Sequence, residues 1–464
     1  MFVSDIKPSA SLSDQPLDHI RLFSFKTIQM RTFHLTWLMF FTCFFGWFGL
    51  APLMPVIRAD LGLTRVQVAN TIIASVSSTI IARLLIGRIC DVAGPRLTAV
   101  YLLVIGSVPV MLAGLAKDYT SFLLFRLAIG VIGASFVITQ FHTSAMFAAR
   151  IKGTASAITG GWGNLGGGVT NMVMPLIFSV IAGFGISSHL AWRYSMIVPG
   201  VMMWFMAYLY YRYTKDTPAG NFSETGRVPA RPFFLRTDFS VLADWRIGAL
   251  ALAYAMCFGM EITFDNVACL HFMDTFGMSL SRAGFWAGVF GAMNLFARPL
   301  GGSLCDKAGG RWGMKGKGLL LAGALLLEGL GLIAFAGSPG LPAAIAFMLA
   351  FSLFLKMASG AVYGIVPFIN EKNVGLVGGI VGAGGNLGGM LLSCLFRSDS
   401  LQYTSAFVCI GVAVMVTAVL IALTRWTRLA DVSDPGEPAP LPEPALPPAE
   451  KIARFNHDCR NFSQ

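Results

Sequence analysis

Two arginines, Arg83 and Arg298, interrupt sequence that is otherwise strongly apolar. Each stands eight residues before an aspartate, in RLLIGRICDVAGPR (83–96) and RPLGGSLCDKAGGR (298–311). An arginine inside a membrane helix costs about 2.5–3.5 kcal/mol on insertion scales, so it usually faces an interior cavity and marks a solute pathway. For one such residue near a span's end, snorkelling to the headgroups is the competing reading. Two at equivalent places in a repeat favour the pathway. Eight residues of helix rise about 12 Å, which places both guanidinium groups near the middle of a bilayer core. A guanidinium is planar, keeps its proton, and presents paired donors that match trigonal oxyanions. Two further strings, GGWGNLGGG (160–168) and GAGGNLGGM (382–390), set one asparagine each, Asn164 and Asn386, among small residues. Small residues serve tight helix packing. Glycines such as Gly163 and Gly385 also let backbone approach a ligand, and an Asn amide can donate to its oxygens. Two cations, two amides and a glycine-lined gap suit a small monovalent oxyanion, and suit a sugar or a bulky drug poorly.

The elements that must carry these residues are membrane spans. Of the 464 residues, 55% are hydrophobic and 12% charged, with a mean hydropathy of +0.68. Soluble domains carry about 25% charged residues, so this chain is built for lipid. Apolar runs of about 20 residues predict twelve spans, at 34–57, 66–89, 95–116, 119–148, 154–183, 190–213, 246–274, 280–304, 316–337, 339–369, 374–396 and 402–427. The net charge of +11 lies in short loops and forms no continuous stripe, which argues against nucleic acid. Arg88, Arg96, Arg150, Lys152, Arg212, Lys215, Arg227, Arg231, Arg236, Lys307, Arg311, Lys315 and Lys317 all fall on one side. The positive-inside rule makes that side, and both termini, cytoplasmic. The expected organisation is a cytoplasmic segment 1–33, a six-helix half 34–213, a linker 214–245, a second six-helix half 246–427, and a Pro-rich disordered tail 428–464. The polar first thirty residues give no sign of a cleavable signal peptide. The eight cysteines lack CxxC pairing and read as small core residues.

The 83–96 and 298–311 segments share eight of fourteen positions. They sit on spans 2 and 8, while the glycine–asparagine strings sit on spans 5 and 11. Each pair is six spans apart, the arrangement of two parallel six-helix repeats. Within each copy, G-x-x-x-D-x-x-G-x-R resembles the loop 2–3 signature of the major facilitator superfamily. Gly87, Asp91, Gly94, Arg96, Asp306 and Arg311 are therefore expected to order or gate the loops rather than touch solute.

The resemblance becomes specific over APLMPVIR (51–58), FVITQFHTSAMFAARIKGTASAITGGWGNLGGGVTNMVMP (136–175), FGMEITFDN (258–266), MNLFARPLGG (293–302), FSLFLKMASGAVYGIVPF (351–368) and GAGGNLGG (382–389). These segments are similar to the nitrate/nitrite porter family, and more closely to its plant, algal and cyanobacterial high-affinity transporters. The resemblance implies that Arg83 and Arg298 hold nitrate, that Asn164 hydrogen-bonds it, and that Phe136, Tyr254 and Phe258 wall the site. Tyr254 and Phe258, four residues apart, share a helical face; taken alone, such aromatics are more often ordinary core.

Moving an anion into a negative-inside cell is uphill by about 2.3 kcal/mol per 100 mV, so uptake needs coupling. Glu261 and Asp265 on span 7 are the candidates for a coupled proton. Structural pairing with Arg126 or Lys356 is the alternative. Arg126, in RLAIG, resembles a motif of proton-coupled superfamily members, whereas Lys356 stands where the family would lead one to expect a neutral residue. Nitrate/nitrite exchange needs no acid and stays open, as does another small monovalent anion on the same fold. No HExxH, GxSxG or clustered Cys/His supports an enzyme, and no metal or cofactor is expected. The expected setting is a cell membrane, with the chain acting as a monomer.

Overall fold

The computed structural model describes residues 15–225, 243–370, 374–397 and 402–426, and within them there are helices and no β-strand. The expected disordered tail, most of the linker, and the side chain of Asp91 lie outside the described residues.

Nine helical stretches among the described residues are long and apolar enough to cross a bilayer. One of them, Leu280–Ala336, has 57 residues, about 85 Å at 1.5 Å each, and cannot cross a core of about 30 Å once. Gly313, at φ +61° and ψ −154°, turns the chain there, a conformation that side chains resist. The stretch is therefore spans 8 and 9. Ile28–Phe48 (21 residues) and Ile197–Tyr213 (17 residues) pack into the same bundle as spans 1 and 6, completing twelve.

Span bounds differ from the apolar runs where local chemistry intervenes. Span 1 begins at Ile28, capped by the Thr27 side chain. It stops at Phe48 because Pro52 and Pro55 cannot continue a helix interior, and a short helix Met54–Asp60 follows. Span 4 is two α-helices, Tyr119–Ile129 and Ser135–Met146, joined by a 3₁₀ segment Gly130–Ala134. There a Cβ on Gly130 would fall on the Ser75 carbonyl, while the Thr79 hydroxyl donates to the Gly130 carbonyl at 2.6 Å. Side chains on the outer surface are large and apolar, among them Ile105, Phe205 and Leu423, as a lipid-facing surface requires.

The repeat is visible in how the glycine strings are used. On span 5, a Cβ at Gly163 would fall on the Phe40 ring and one at Gly166 on the Phe41 backbone, both in span 1. On span 11, the equivalent Gly385 and Gly388 meet Tyr254, Phe258 and the Ala255 backbone in span 7. Span 5 thus packs on span 1 as span 11 packs on span 7, each at a separation only glycine permits.

The two halves touch through spans 2 and 11 and through spans 5 and 8. On the face opposite the basic loops, Gly284, Gly288 and Gly291 of span 8 lie against Asn171, Met172 and Gly168 of span 5. Nearby, Arg58 and Asp274 form a bidentate ion pair between the halves at 3.0 and 2.9 Å. Tyr403 adds a hydrogen bond to Asp274 at 3.1 Å. A methyl group at Gly291 would fall on the Gly168 Cα. Gly291→Ala is therefore expected to cost about 1–3 kcal/mol by overpacking, read as a lower apparent Tm in detergent. Gly323→Ala, whose Cβ meets nothing within 4 Å, should leave Tm unchanged or raise it.

Candidate anion site between the two halves

Arg83 and Arg298 are 7% and 6% exposed, and neither turns out to the headgroups. Each crosses to the other half. Arg83 Nη1 of span 2 donates to the Gly382 carbonyl of span 11 at 3.0 Å. A Cβ at Gly161 of span 5 would stand 3.7 Å from Arg298 Cδ of span 8. Gly161 and Gly382 leave room beside the guanidinium groups. Gly163 and Gly385, two and three residues further along, face spans 1 and 7 instead, because helical rotation points them away from the arginines.

The two cations share a set of rings. The Arg83 guanidinium carbon lies 5.1 Å from the Phe136 ring centre, and that of Arg298 lies 5.6 Å from Phe258. Tyr254 and Phe258 stack at 4.9 Å with planes 8° apart. Tyr363 stands edge-on to Tyr254 at 5.1 Å and to Phe136 at 6.2 Å. Both guanidinium groups lie within electrostatic reach of Tyr254 and Tyr363, so the ring cluster joins them. Arg298 Nη2 also donates to the Tyr254 hydroxyl at 3.2 Å.

Several buried polar atoms on these faces lack a hydrogen-bond partner among the described residues: Arg83 Nε and Nη2, both amide atoms of Asn164, and Asn386 Oδ1. Asn164 lies one turn along span 5 from Gly160 and Gly161, and Asn386 one turn along span 11 from Gly382, so each shares the face its glycine presents to an arginine. Buried donors without partners cost about 1–3 kcal/mol each. A bound oxyanion with three acceptor oxygens would relieve the guanidinium and amide N–H groups together.

A second cluster backs the first. Glu261 Oε1 accepts from Asn294 Nδ2 at 2.5 Å and pairs with Lys356 Nζ at 3.1 Å, while its Oε2 lies 3.8 Å from Arg298 Nη2. Asp265 pairs with neither candidate partner; its Oδ2 would lie 3.2 Å from a Cβ on Gly167 of span 5. Arg126 donates to Asn266 Oδ1 at 3.1 Å and is fully buried. Asn294 and Tyr363 escaped the reading of the sequence, although both stand in segments that resemble the family. Asn294 precedes Arg298 by four residues, a spacing that could have singled it out.

The loop residues hold the basic face together within each half. Gly94 has φ +82°, and a Cβ there would meet the Asp216 carboxylate. That carboxylate caps the Arg96 and Phe222 N–H groups at 2.8 and 3.0 Å, and burial raises its pKa. The Arg96 side chain donates to the Tyr211 carbonyl. Asp306 instead pairs with Lys317 at 2.6 Å, Arg311 lies over Trp312 at 5.3 Å, and Gly87 lies beside Val137.

Two repeated six-span halves with buried cations at their junction define a membrane transporter rather than an enzyme. The family model for the Major Facilitator Superfamily matches residues 36–391. A rice protein (Oryza sativa subsp. japonica), "High-affinity nitrate transporter 2.3", is 39% identical over 394 residues, 83% of this chain and 75% of that one. "High affinity nitrate transporter 2.7" of Arabidopsis thaliana is 35% identical over 438 residues, 89% and 88% of the two chains. "Nitrate/nitrite transporter NrtP" of Nostoc punctiforme is 26% identical over 478 residues, 87% and 93%. Among solved structures, an inward-facing bacterial homolog of the lysosomal transporter Spinster superposes with a TM-score of 0.64 at 16% identity, covering 85% of this chain and 95% of that one. The nucleoside transporter NupG gives 0.61 at 11%, covering 84% and 98%. At those identities the likeness is one of fold. The chain belongs to the Major Facilitator Superfamily and, within it, to the nitrate/nitrite porter family.

Proposed function

We propose that this protein carries nitrate, and also nitrite, across a cell membrane by proton symport with alternating access. One observation carries the reading: two buried guanidinium groups, one from each half, flank a shared ring cluster beside the unpartnered amide of Asn164. Arg83, Arg298 and Asn164 are the proposed anion ligands, with Asn386 beside them. Phe136, Tyr254, Phe258 and Tyr363 form the walls. The charge of the site selects an anion, its narrow glycine borders select a small one, and the relatives' names supply nitrate and nitrite. Glu261 and Asp265 lie one helical turn apart on span 7; Glu261 is close enough for its charge to act on Arg298, and Asp265 lies within reach of Lys356 and Glu261. Arg126 lies further along the junction. The basic loops favour cytoplasmic termini in a plasma membrane, with each monomer holding a complete site.

The test is uptake of labelled nitrate and nitrite into proteoliposomes. An imposed inward proton gradient is expected to accelerate uptake and drive accumulation. If only nitrite loaded on the trans side accelerates it, exchange replaces symport. If neither anion enters above protein-free vesicles, the anion assignment falls.

A further inference from the structure

Span 9 holds an acid that neither the anion site nor the repeat explains. Glu328 is 0% exposed, and neither carboxylate oxygen has a hydrogen-bond partner among the described residues. It lies within electrostatic reach of Lys356 on span 10 and of Glu261 on span 7. Lys356, itself 0% exposed, is also within reach of Asp265. A single ammonium therefore serves three buried carboxylates, and Arg298 offers Glu261 a second cation only at 3.8 Å. Among the described residues, no cation besides Lys356 acts on Glu328. On span 7 the Cys257 thiol lies within its electrostatic reach, and His271 lies ten residues beyond Glu261 among Phe335, Tyr403 and Phe407. The sequences of spans 10 and 12 contain no other Lys, Arg, Asp or Glu. An unpaired carboxylate in so dry a place is costly and resolves by taking a proton.

Resting on the symport reading, we propose that Glu328 is the binding site of the coupled proton, and that Lys356 and Glu261 relay its charge to Arg298. With a proton on Glu328, the carboxyl is neutral. Lys356 then stays on Glu261 at 3.1 Å, and Arg298 keeps its free donors for the anion. When the proton leaves, Glu328 is an anion and draws the Lys356 ammonium toward itself. Glu261, released, closes the remaining 3.8 Å to Arg298 and competes with the substrate. Proton and anion thus bind together and leave together, as symport requires. The linkage is reciprocal: each ligand strengthens the other by the same factor.

The experiment compares wild type with Glu328→Gln, a permanent mimic of the protonated acid, in reconstituted vesicles and in detergent. Wild type should bind nitrate more tightly as pH falls and accumulate it against an imposed proton gradient. Glu328→Gln should bind nitrate with no pH dependence and continue nitrate/nitrate exchange. Its gradient-driven accumulation should fall by about tenfold or more, the effect of one unit of proton activity. Full proton-driven accumulation by Glu328→Gln overturns the assignment of Glu328 and leaves symport standing. Absence of proton stimulation in wild type overturns symport and the assignment together. Should Glu328→Gln fail to fold, wild-type protein treated with dicyclohexylcarbodiimide and mapped by mass spectrometry decides. Labelling of Glu328 that declines as pH rises supports the proposal, and labelling confined to Glu261 or Asp265 overturns it.

Discussion

Replacing Arg298 or Arg83 by lysine is expected to lower the initial rate of nitrate uptake by at least about a hundredfold, about 2.7 kcal/mol at ~1.36 kcal/mol per decade. The substitution conserves charge, so the effect isolates geometry. Arg298 spreads its contacts over the Tyr254 hydroxyl at 3.2 Å, Glu261 at 3.8 Å and the Phe258 face at 5.6 Å. An ammonium is a compact point charge that cannot offer a planar fork. At position 298 it would settle on the Glu261 carboxylate and leave the anion without its second cation. At position 83 it would lose the simultaneous reach to the Gly382 carbonyl and the Phe136 face. Labelled-nitrate uptake into proteoliposomes, normalised to the monodisperse peak in gel filtration, measures the effect. Wild-type rates in both lysine variants would end the case for an anion clamp.

Removal of the Lys356 charge should have the largest effect on stability. In Lys356→Met, Glu261 keeps only the Asn294 hydrogen bond and the distant Arg298, and Asp265 and Glu328 lose the ammonium within their reach. Removing one partner of a buried ion pair typically costs about 3–5 kcal/mol, because the other charge stays buried without compensation. A large drop in apparent Tm, or loss of the monodisperse protein, is the expected result. The double variant Lys356→Met/Glu261→Gln removes the stranded charge and should recover most of that stability, since a neutral pair of similar volume is often no worse than an ion pair. Proton-driven accumulation should remain lost in the double variant, because the relay is gone. Equal Tm values for the single variant and wild type would show that Lys356 and Glu261 are not coupled in stability. Arg58–Asp274, by contrast, is about one-third exposed on each side, where an ion pair is typically worth less than about 1 kcal/mol. Its place across the two halves suits it to biasing conformation more than to holding the fold.

Much of this protein could be read from local sequence. A span of about 20 apolar residues is a requirement of lipid thickness, and charge in its middle is conspicuous because it is expensive. The arginine segments and the asparagine strings therefore announced the repeat, the six-span spacing and the central cations. The basic loops predict a cytoplasmic side by the positive-inside rule. Span bounds were less evident where helix breakers act across a bend, as at Pro52, where span 1 ends at Phe48 and a short helix Met54–Asp60 follows.

Which face of a glycine string meets which neighbour depended on rotation about helices that the sequence does not pair. Gly163 and Gly385 read as ligand-lining, yet they accommodate Phe40 and the Tyr254–Phe258 stack, while Gly161 and Gly382 stand beside the arginines. Glu328 showed the same local signal as Arg83, a charge amid leucines. Its meaning lay in Lys356, 28 residues on, and in Glu261, 67 residues back. Sequence alone determined what each segment must do to live in a bilayer, because burial in lipid is decided residue by residue. Only the tertiary structure decided which charges share a partner, because electrostatic compensation acts through space over a few ångströms and ignores distance along the chain.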